Sequence, residues 1–336
     1  MHNIIFYQEK NLEIVEECLK KANRVVSESN CENTRRAMYA DLRYWQAWCE
    51  ANGFDFSRGM LKEHLIAFII QHAEEMPEHV DQELIAKGVK SKPGLHKMAT
   101  IDRKIASLST FLNLNRMPNN CYDADLLFLL KKLKNKYGSS EPWGKAMTVD
   151  VLNDLLTTCQ TTIQDVRDKA ILLFGFSTGG RRRTEIADAT MEYLQECADG
   201  NYLYNLKHSK TNREGKDEIK PLFGRAAMAL THWLTVSNIR SGPIFRTIYK
   251  NGRIGEKKIS DKAISDIIKI RSKKAGYNSS EYTAHSLRSG FVTEGGKRGK
   301  PIGDIMALTG HRCITQLMQY YQVGNVANNS AVYLAG

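Results

Sequence analysis

Apolar residues return every three or four positions through most of the chain, the spacing of amphipathic helices. Residues 10–30 read as a helix of this kind. Beyond Glu32-Asn33-Thr34, which offers caps, Met38, Leu42, Trp45 and Cys49 form an apolar stripe that ends at Asn52-Gly53. Residues 61–72 make another apolar helix. The segment from Glu74 to Lys97 holds Pro77, Gly88, Pro93 and Gly94 and reads as a long, irregular connection. Ile101, Ile105, Leu108 and Leu112 then mark one helix, with Arg103 and Ser107 outward. Leu126, Leu130, Leu133 and Tyr137 mark the next.

The Gly138–Gly144 stretch, GSSEPWG, breaks the pattern and is the best linker in the chain. The expected division is a helical domain over 1–137, a linker over 138–147, and a second domain over 148–336. That second domain opens with a helix near Val149–Thr158, followed by a nearly all-apolar, buried one at Lys169–Phe176. Tyr202–Lys207 alternates like a strand. A polar hairpin tip, Ser209–Gly215, precedes a returning strand at Ile219–Leu222. Residues 225–239 and 260–275 are helical, the latter capped by Ser260, with Ile264, Ile267 and Ile268 inward and Lys262 and Ser265 outward. The fold class expected is mainly α with a small β-sheet in the second domain.

Composition narrows the class. A 336-residue chain exceeds one ordinary core, and 42% hydrophobic with 25% charged residues suits a soluble globular protein. No apolar run approaches the ~20 residues needed to span a bilayer, and the N-terminal MHNIIFYQEKNLEIVEE shows no signal peptide. Seven cysteines, an odd number without a CxxC, argue for reduced thiols in a cytosolic protein and against a zinc ribbon. The net charge of +11 favours a polyanionic partner, most simply nucleic acid. Arg36 and Arg43 lie off the apolar stripe of their helix; such a face can enter a DNA major groove or simply be solvated.

Candidate chemistry gathers between Thr283 and Tyr321. His285 and Arg288, three apart, can share one helix face. A basic GGKRGK loop leads to a short helix with Ile302, Ile305 and Met306 inward, which stops at Gly310, before His311. Tyr320 follows nine residues later, with Tyr321 beside it. At about 100° per residue, one unbroken helix would put His311 and Tyr320 on opposite faces. A break near Gly310–Cys313 is therefore expected, bringing His311 and a tyrosine to one pocket. Tyrosine can be a covalent nucleophile, arginine grips phosphate oxygens, and histidine handles protons near neutral pH. Upstream, Ser177-Thr178-Gly179-Gly180-Arg181-Arg182-Arg183-Thr184-Glu185 launches three arginines from a buried helix, and at least one should point inward.

The ordered set Arg182, Lys210 in an S-K-T hairpin, His285-x-x-Arg288, Gly310-His311 and Tyr320 resembles the tyrosine site-specific recombinases, the phage integrase family. The resemblance covers the whole second domain. Asn33-Thr34-Arg35-Arg36 through Trp45-Gln46-Ala47-Trp48-Cys49 is similar to the second helix of the core-binding domain in Cre-like members. The arginine turn departs from the family, which has one arginine flanked by apolar residues; Arg182 is chosen because Glu185 then falls at the family's spacing. The 74–97 connection is longer than in Cre-like members, which also carry tryptophan where this chain has His311.

The resemblance implies a helical core-binding domain joined to a mixed α/β catalytic domain. Tyr320 would attack a DNA phosphodiester to give a 3′-phosphotyrosine, and strand exchange would pass through a Holliday junction. Arg182 and Arg288 would hold the nonbridging oxygens, Lys210 would protonate the leaving 5′-oxygen, and His285 would take the tyrosine proton. His311 would bond the phosphate, with Glu185 supporting the arginines. Tyr321 competes for the nucleophile's role; the family's spacing from His311 favours Tyr320. Neither metal nor other cofactor is implied. Arg36, Arg43, Arg103 and Lys262 map onto groove-facing positions. The implied partners are double-stranded DNA with inverted-repeat arms and three further copies of the chain, a homotetramer on DNA formed from free monomers. No membrane is involved, and the site of action is the cytoplasm, or the nucleoid in a bacterium. Two other functions use much of the same sequence: a nicking-closing enzyme of the type IB topoisomerase kind, and a non-catalytic DNA-binding protein.

Overall fold

The computed structural model describes residues 32–56, 59–138, 144–207, 216–326. The chain divides into two compact units, Met1–Pro142 and Trp143–Gly336. The helix expected over 10–30 lies outside the described residues, as does most of the GSSEPWG stretch.

The first unit is helical: α1 (Glu32–Ala51), α2 (Lys62–Ala73), α3 (Glu78–Ala86), α4 (Met98–Leu114) and α5 (Ala124–Tyr137). The stripe on α1 turns Trp45 and Cys49 fully inward, while Met38 and Leu42 are only partly covered. Trp45 stacks on Phe68 of α2 with ring centroids 3.7 Å apart, and Trp48 meets the same ring edge-on. Each buried indole N–H finds an acceptor, Lys104 O for Trp45 and Gln71 Oε1 for Trp48. Ile101, Ile105, Leu108 and Leu112 of α4 and Leu126, Leu130 and Leu133 of α5 complete the core.

Two expectations fail here. The 74–97 connection contains α3. Pro77 precedes its first turn, where a missing N–H costs nothing, and Glu78 and Asp81 complement the helix dipole. Gly88, at φ +66°, closes it. Tyr137 is the other: it is 48% exposed rather than core, and its hydroxyl donates to Glu74 Oε2.

The second unit comprises α6 (Val149–Thr157), α7 (Ile163–Ser177), α8 (Arg183–Ala187), β1 (Leu194–Glu196), β2 (Tyr202–Asn205) and β3 (Ile219–Leu222). It continues with α9 (Arg225–Ser237), β4 (Arg246–Ile248), β5 (Ile254–Lys258), α10 (Asp261–Lys274), α11 (Ala284–Lys297), α12 (Ile302–Thr309) and α13 (Ile314–Asn325). The architecture is mainly α, with an antiparallel β1-β2-β3 sheet and a separate β4-β5 hairpin. Helix α7 starts on a Thr162/Asp165 capping box and is buried from Ala170 to Phe176, so it forms the axis of this unit. Its Asp168 accepts two hydrogen bonds from buried Arg271 of α10, a paired charge that fixes these helices against each other.

Helices α11 and α13 approach closely because glycines face each other. A Cβ on Gly324 would sit 1.9 Å from Thr293 O, and one on Gly296 would sit 2.3 Å from Tyr321 O. This contact sets the height of α13 beside α11, and hence where Tyr320 can reach.

Candidate active site

The site forms where three chain segments meet. The first is the turn after α7. Gly179 and Gly180 both have positive φ, which glycine adopts without strain. A Cβ on Gly180 would lie 2.2 Å from Arg288 Cα, so the turn presses directly on α11. The three arginines that follow point three ways. Arg181 turns inward and is 2% exposed. Arg182 faces a cleft, with Nη1 donating to buried Glu185 at 2.6 Å while its backbone N–H donates to the same carboxylate. Arg183 pairs with Asp261 at the edge of the same cleft.

The second segment is α11, capped by Thr283, whose Oγ1 accepts from the His285 N–H. One turn apart, His285 and Arg288 face the cleft together with Arg182, Arg183, Ser265 and Thr283; the cleft volume is about 280 Å³. The third segment is the break between α12 and α13. Gly310, left-handed at φ +70°, ends α12, and α13 begins at Ile314. His311 Nε2 thereby comes 3.3 Å from Arg288 Nε, and Tyr320 OH comes 3.0 Å from His285 Nε2. Tyr321 points elsewhere: it is 9% exposed and donates its hydroxyl to Lys300 O.

The electrostatics are those of a site short of negative charge. Burial, then the nearby Arg182 and Arg181, push Arg288 down to about 10. Burial, then Arg288 and Arg182, push His311 down to about 4, and the same causes lower His285. Burial raises Tyr320 to about 12, with Arg288 opposing. Both histidines are thus neutral at pH 7 and the phenol holds its proton. Because Arg288 Nε donates to His311 Nε2, the His311 proton sits on Nδ1, facing Thr309 Oγ1 at 2.8 Å. Arg288 Nη1 is buried and has no hydrogen-bond partner among the described residues. An oxyanion in the cleft would meet that donor and the surplus charge at once.

Residues 145–325, more than half of the chain, match the Phage integrase family. The chain belongs to the phage integrase family. It is a tyrosine recombinase, and site-specific DNA recombination is the activity of its class. The recombinase is 24% identical over 343 residues to an integrase/recombinase xerD homolog of Selenomonas ruminantium, covering 98% of this chain and 93% of that one. Its fold is similar to a lambda integrase dimer bound to a COC′ core site, with TM-score 0.58, 13% identity, and coverage of 92% and 95%. It is also similar to the Tn1549 transposon integrase in complex with transposon right-end DNA, with TM-score 0.57, 17% identity, and coverage of 94% and 98%.

Of the residues singled out in the sequence, Arg182, Glu185, His285, Arg288, His311 and Tyr320 therefore meet around one cleft. Lys210 lies outside the described residues. Arg36 and Arg43 are exposed on α1, and Lys262 is exposed at the start of α10. Arg103, half exposed, pairs with buried Asp41, which also receives Lys104 and Ser107. Sequence reasoning missed buried Lys220 and the linking Thr309. Lys220 left one signal, a charge on β3 two residues before inward Leu222 and opposite inward Tyr204 of β2.

Proposed function

We propose that the recombinase cuts and rejoins DNA through a 3′-phosphotyrosine at Tyr320, exchanging strands by way of a Holliday junction. The observation that carries this is the Tyr320–His285 hydrogen bond opening onto a cleft walled by Arg182 and Arg288. The Tyr320 oxygen attacks phosphorus, and its proton passes to His285 Nε2. The P–O5′ bond breaks, and Lys210 donates a proton to the departing 5′-oxygen. Arg182 and Arg288 hold the nonbridging oxygens as their charge grows, and His311 adds a further contact. Glu185 keeps Arg182 aimed. A 5′-hydroxyl of the partner strand then attacks the phosphotyrosine, restoring the phosphodiester and releasing Tyr320. Fixed guanidinium groups supply the charge stabilisation that metal ions supply in two-metal nucleases.

The first unit is read as the DNA-binding clamp, with Arg36, Arg43 and Arg103, together with Lys262 of α10, facing the grooves or phosphates of inverted-repeat arms. Four copies would act together on DNA, in the cytoplasm or on the nucleoid. The similarity to a lambda integrase bound to a core site and to the Tn1549 integrase in complex with transposon-end DNA supports a DNA partner.

The test is covalent capture on a suicide substrate nicked near the cleavage point. On a denaturing gel, Tyr320→Phe should give no protein–DNA adduct, and Tyr321→Phe should still give one. An adduct that survives in Tyr320→Phe overturns the assignment. A substrate with two sites separates the alternatives: a nicking-closing enzyme relaxes it without exchanging strands, and a decayed binding protein leaves no adduct at all.

A further inference from the structure

Helix α12 is short, yet it delivers His311 to the cleft, and its last carbonyls need partners. Met306 O accepts from the Gly310 N–H at 2.7 Å. Leu308 O accepts from Arg181 Nη2 at 2.6 Å, and Ala307 O accepts from Lys220 Nζ at 2.8 Å. Both cations are 2% exposed. They arrive from different elements, Arg181 from the glycine turn and Lys220 from β3. Their charges are answered by Glu185, 3.7 Å from Arg181, and Glu218, 3.3 Å from Lys220. The turn itself bears on the same helix end, since a Cβ on Gly179 would lie 2.4 Å from Leu308 O. From that end the chain runs through Thr309, whose hydroxyl holds His311 Nδ1, to the His311 contact with Arg288.

We infer that Arg181 and Lys220 are positioning residues, a buried pair of cations that clamps the C-terminus of α12 and so sets His311 against Arg288 in the catalytic cleft. The inference rests on the proposed phosphate-binding role of that cleft. Arg181 borders the cleft but is almost wholly buried, and Lys220 is not among the cleft's lining residues. Cations at a helix C-terminus are favoured by the helix dipole, and burying two of them there spends folding energy on placing one backbone segment. It also accounts for the departure of the arginine turn from a single arginine: Arg182 serves the cleft, and Arg181 serves the helix that carries His311.

The test is a double-mutant cycle in single-turnover cleavage of the suicide substrate. Arg181→Met and Lys220→Met should each slow cleavage by roughly 10²-fold, the effect of displacing a catalytic group by about 1 Å, with half-site binding changed only a few-fold. Lys220→Gln keeps an N–H donor and should recover most of the rate. In a His311→Ala background the Met changes should matter less than about threefold, because their effect runs through His311. Should Arg181→Met not fold, Arg181→Lys keeps the buried charge but shortens the reach to Leu308 O, and the same loss and the same non-additivity are expected. Losses that multiply with His311→Ala, or Met variants that cleave like the unaltered protein, overturn the clamp. If the unaltered protein forms no Tyr320 adduct, the proposed function fails separately. Hydrogen exchange over 303–312 then still reads the clamp: faster in the Met variants if it exists, unchanged if it does not.

Discussion

Replacing Arg288 by lysine keeps its charge and removes its fork. In the structure one arm, Nε, donates to His311, and another, Nη1, is buried without a partner among the described residues. With a scissile phosphate in the cleft the guanidinium can bond a nonbridging oxygen while holding His311. An ammonium is a point charge with no planar arrangement of donors and cannot do both. The loss amounts to about two charge-assisted hydrogen bonds at ~1.5–3 kcal/mol each. That is ~3–6 kcal/mol, or roughly 10²- to 10⁴-fold in the cleavage step. Half-site affinity should fall only a few-fold, because many phosphate contacts share it. The assay pairs single-turnover adduct formation with gel-shift binding, and a circular dichroism melt checks that the buried substitution has not loosened α11. Cleavage within about fivefold of the unaltered protein would refute the reading of Arg288 as a phosphate fork. Equal losses in binding and cleavage would show that it binds the ground state alone.

Three further outcomes are expected. Lys210→Ala should cleave slowly and recover on a substrate with a 5′-bridging sulfur, a leaving group that needs little protonation; no recovery would remove Lys210 as the general acid. In the first unit, burial and then the Lys104 and Lys90 charges lower His96 from 6.5 to about 4. A histidine with a depressed folded pKa contributes its full stability above 6.5 and loses it as pH falls toward 4, up to ~3 kcal/mol before solvent screening. The urea midpoint read by tryptophan fluorescence should fall over that window, and more shallowly in His96→Gln. A C-terminal tail is expected from the sequence over 322–336, but α13 runs on to Asn325; residues 327–336, which carry the apolar Val332-Tyr333-Leu334, lie outside the described residues. Deleting 330–336 should leave single half-site binding nearly unchanged while abolishing cooperative filling of two-arm DNA and strand exchange; native gels decide it.

Periodicity showed most helices because their cores are regular. Leu126, Leu130 and Leu133 on α5, or Ile264, Ile267 and Ile268 on α10, bury as their spacing predicts. It failed where a residue has two uses. Pro77 reads as a breaker but opens α3. Tyr137 reads as apolar but spends its hydroxyl on an exposed carboxylate. The cleft's residues were legible mainly because their ordered motifs resemble a known family, while the break near Gly310–Cys313 is expected from helix geometry and is present. The divergent directions of Arg181, Arg182 and Arg183 could not be read from their side-by-side positions. They depend on φ at Gly179 and Gly180 and on which acceptors surround the turn, and both are tertiary facts. Lys220 and Ala307 are 87 positions apart, so their contact leaves no local trace.

The cleft's own residues carry uncompensated positive charge, and the direction in which that charge moves the histidines bears on the proposed reaction. His311 near 4 accepts from Arg288 at Nε2 and so cannot donate there to a phosphate. His285, lowered below its ordinary value, is a poor base for a phenol raised to about 12. After burial, the causes on both histidines are the positive charges of Arg288 and Arg182. A phosphodiester between those arginines cancels the repulsion at its source. On the proposed mechanism it raises both histidines from their lowered values, making His285 a stronger proton acceptor, while burial, the larger cause, remains. It also draws Arg288 into a new bond through its unpartnered nitrogen. The same anion opposes ionisation of Tyr320, so the phenol keeps its proton until attack begins and would give it up to His285 in that step. If Tyr320 is the nucleophile as proposed, proton transfer to His285 and attack are thereby tied to occupancy of the cleft by DNA.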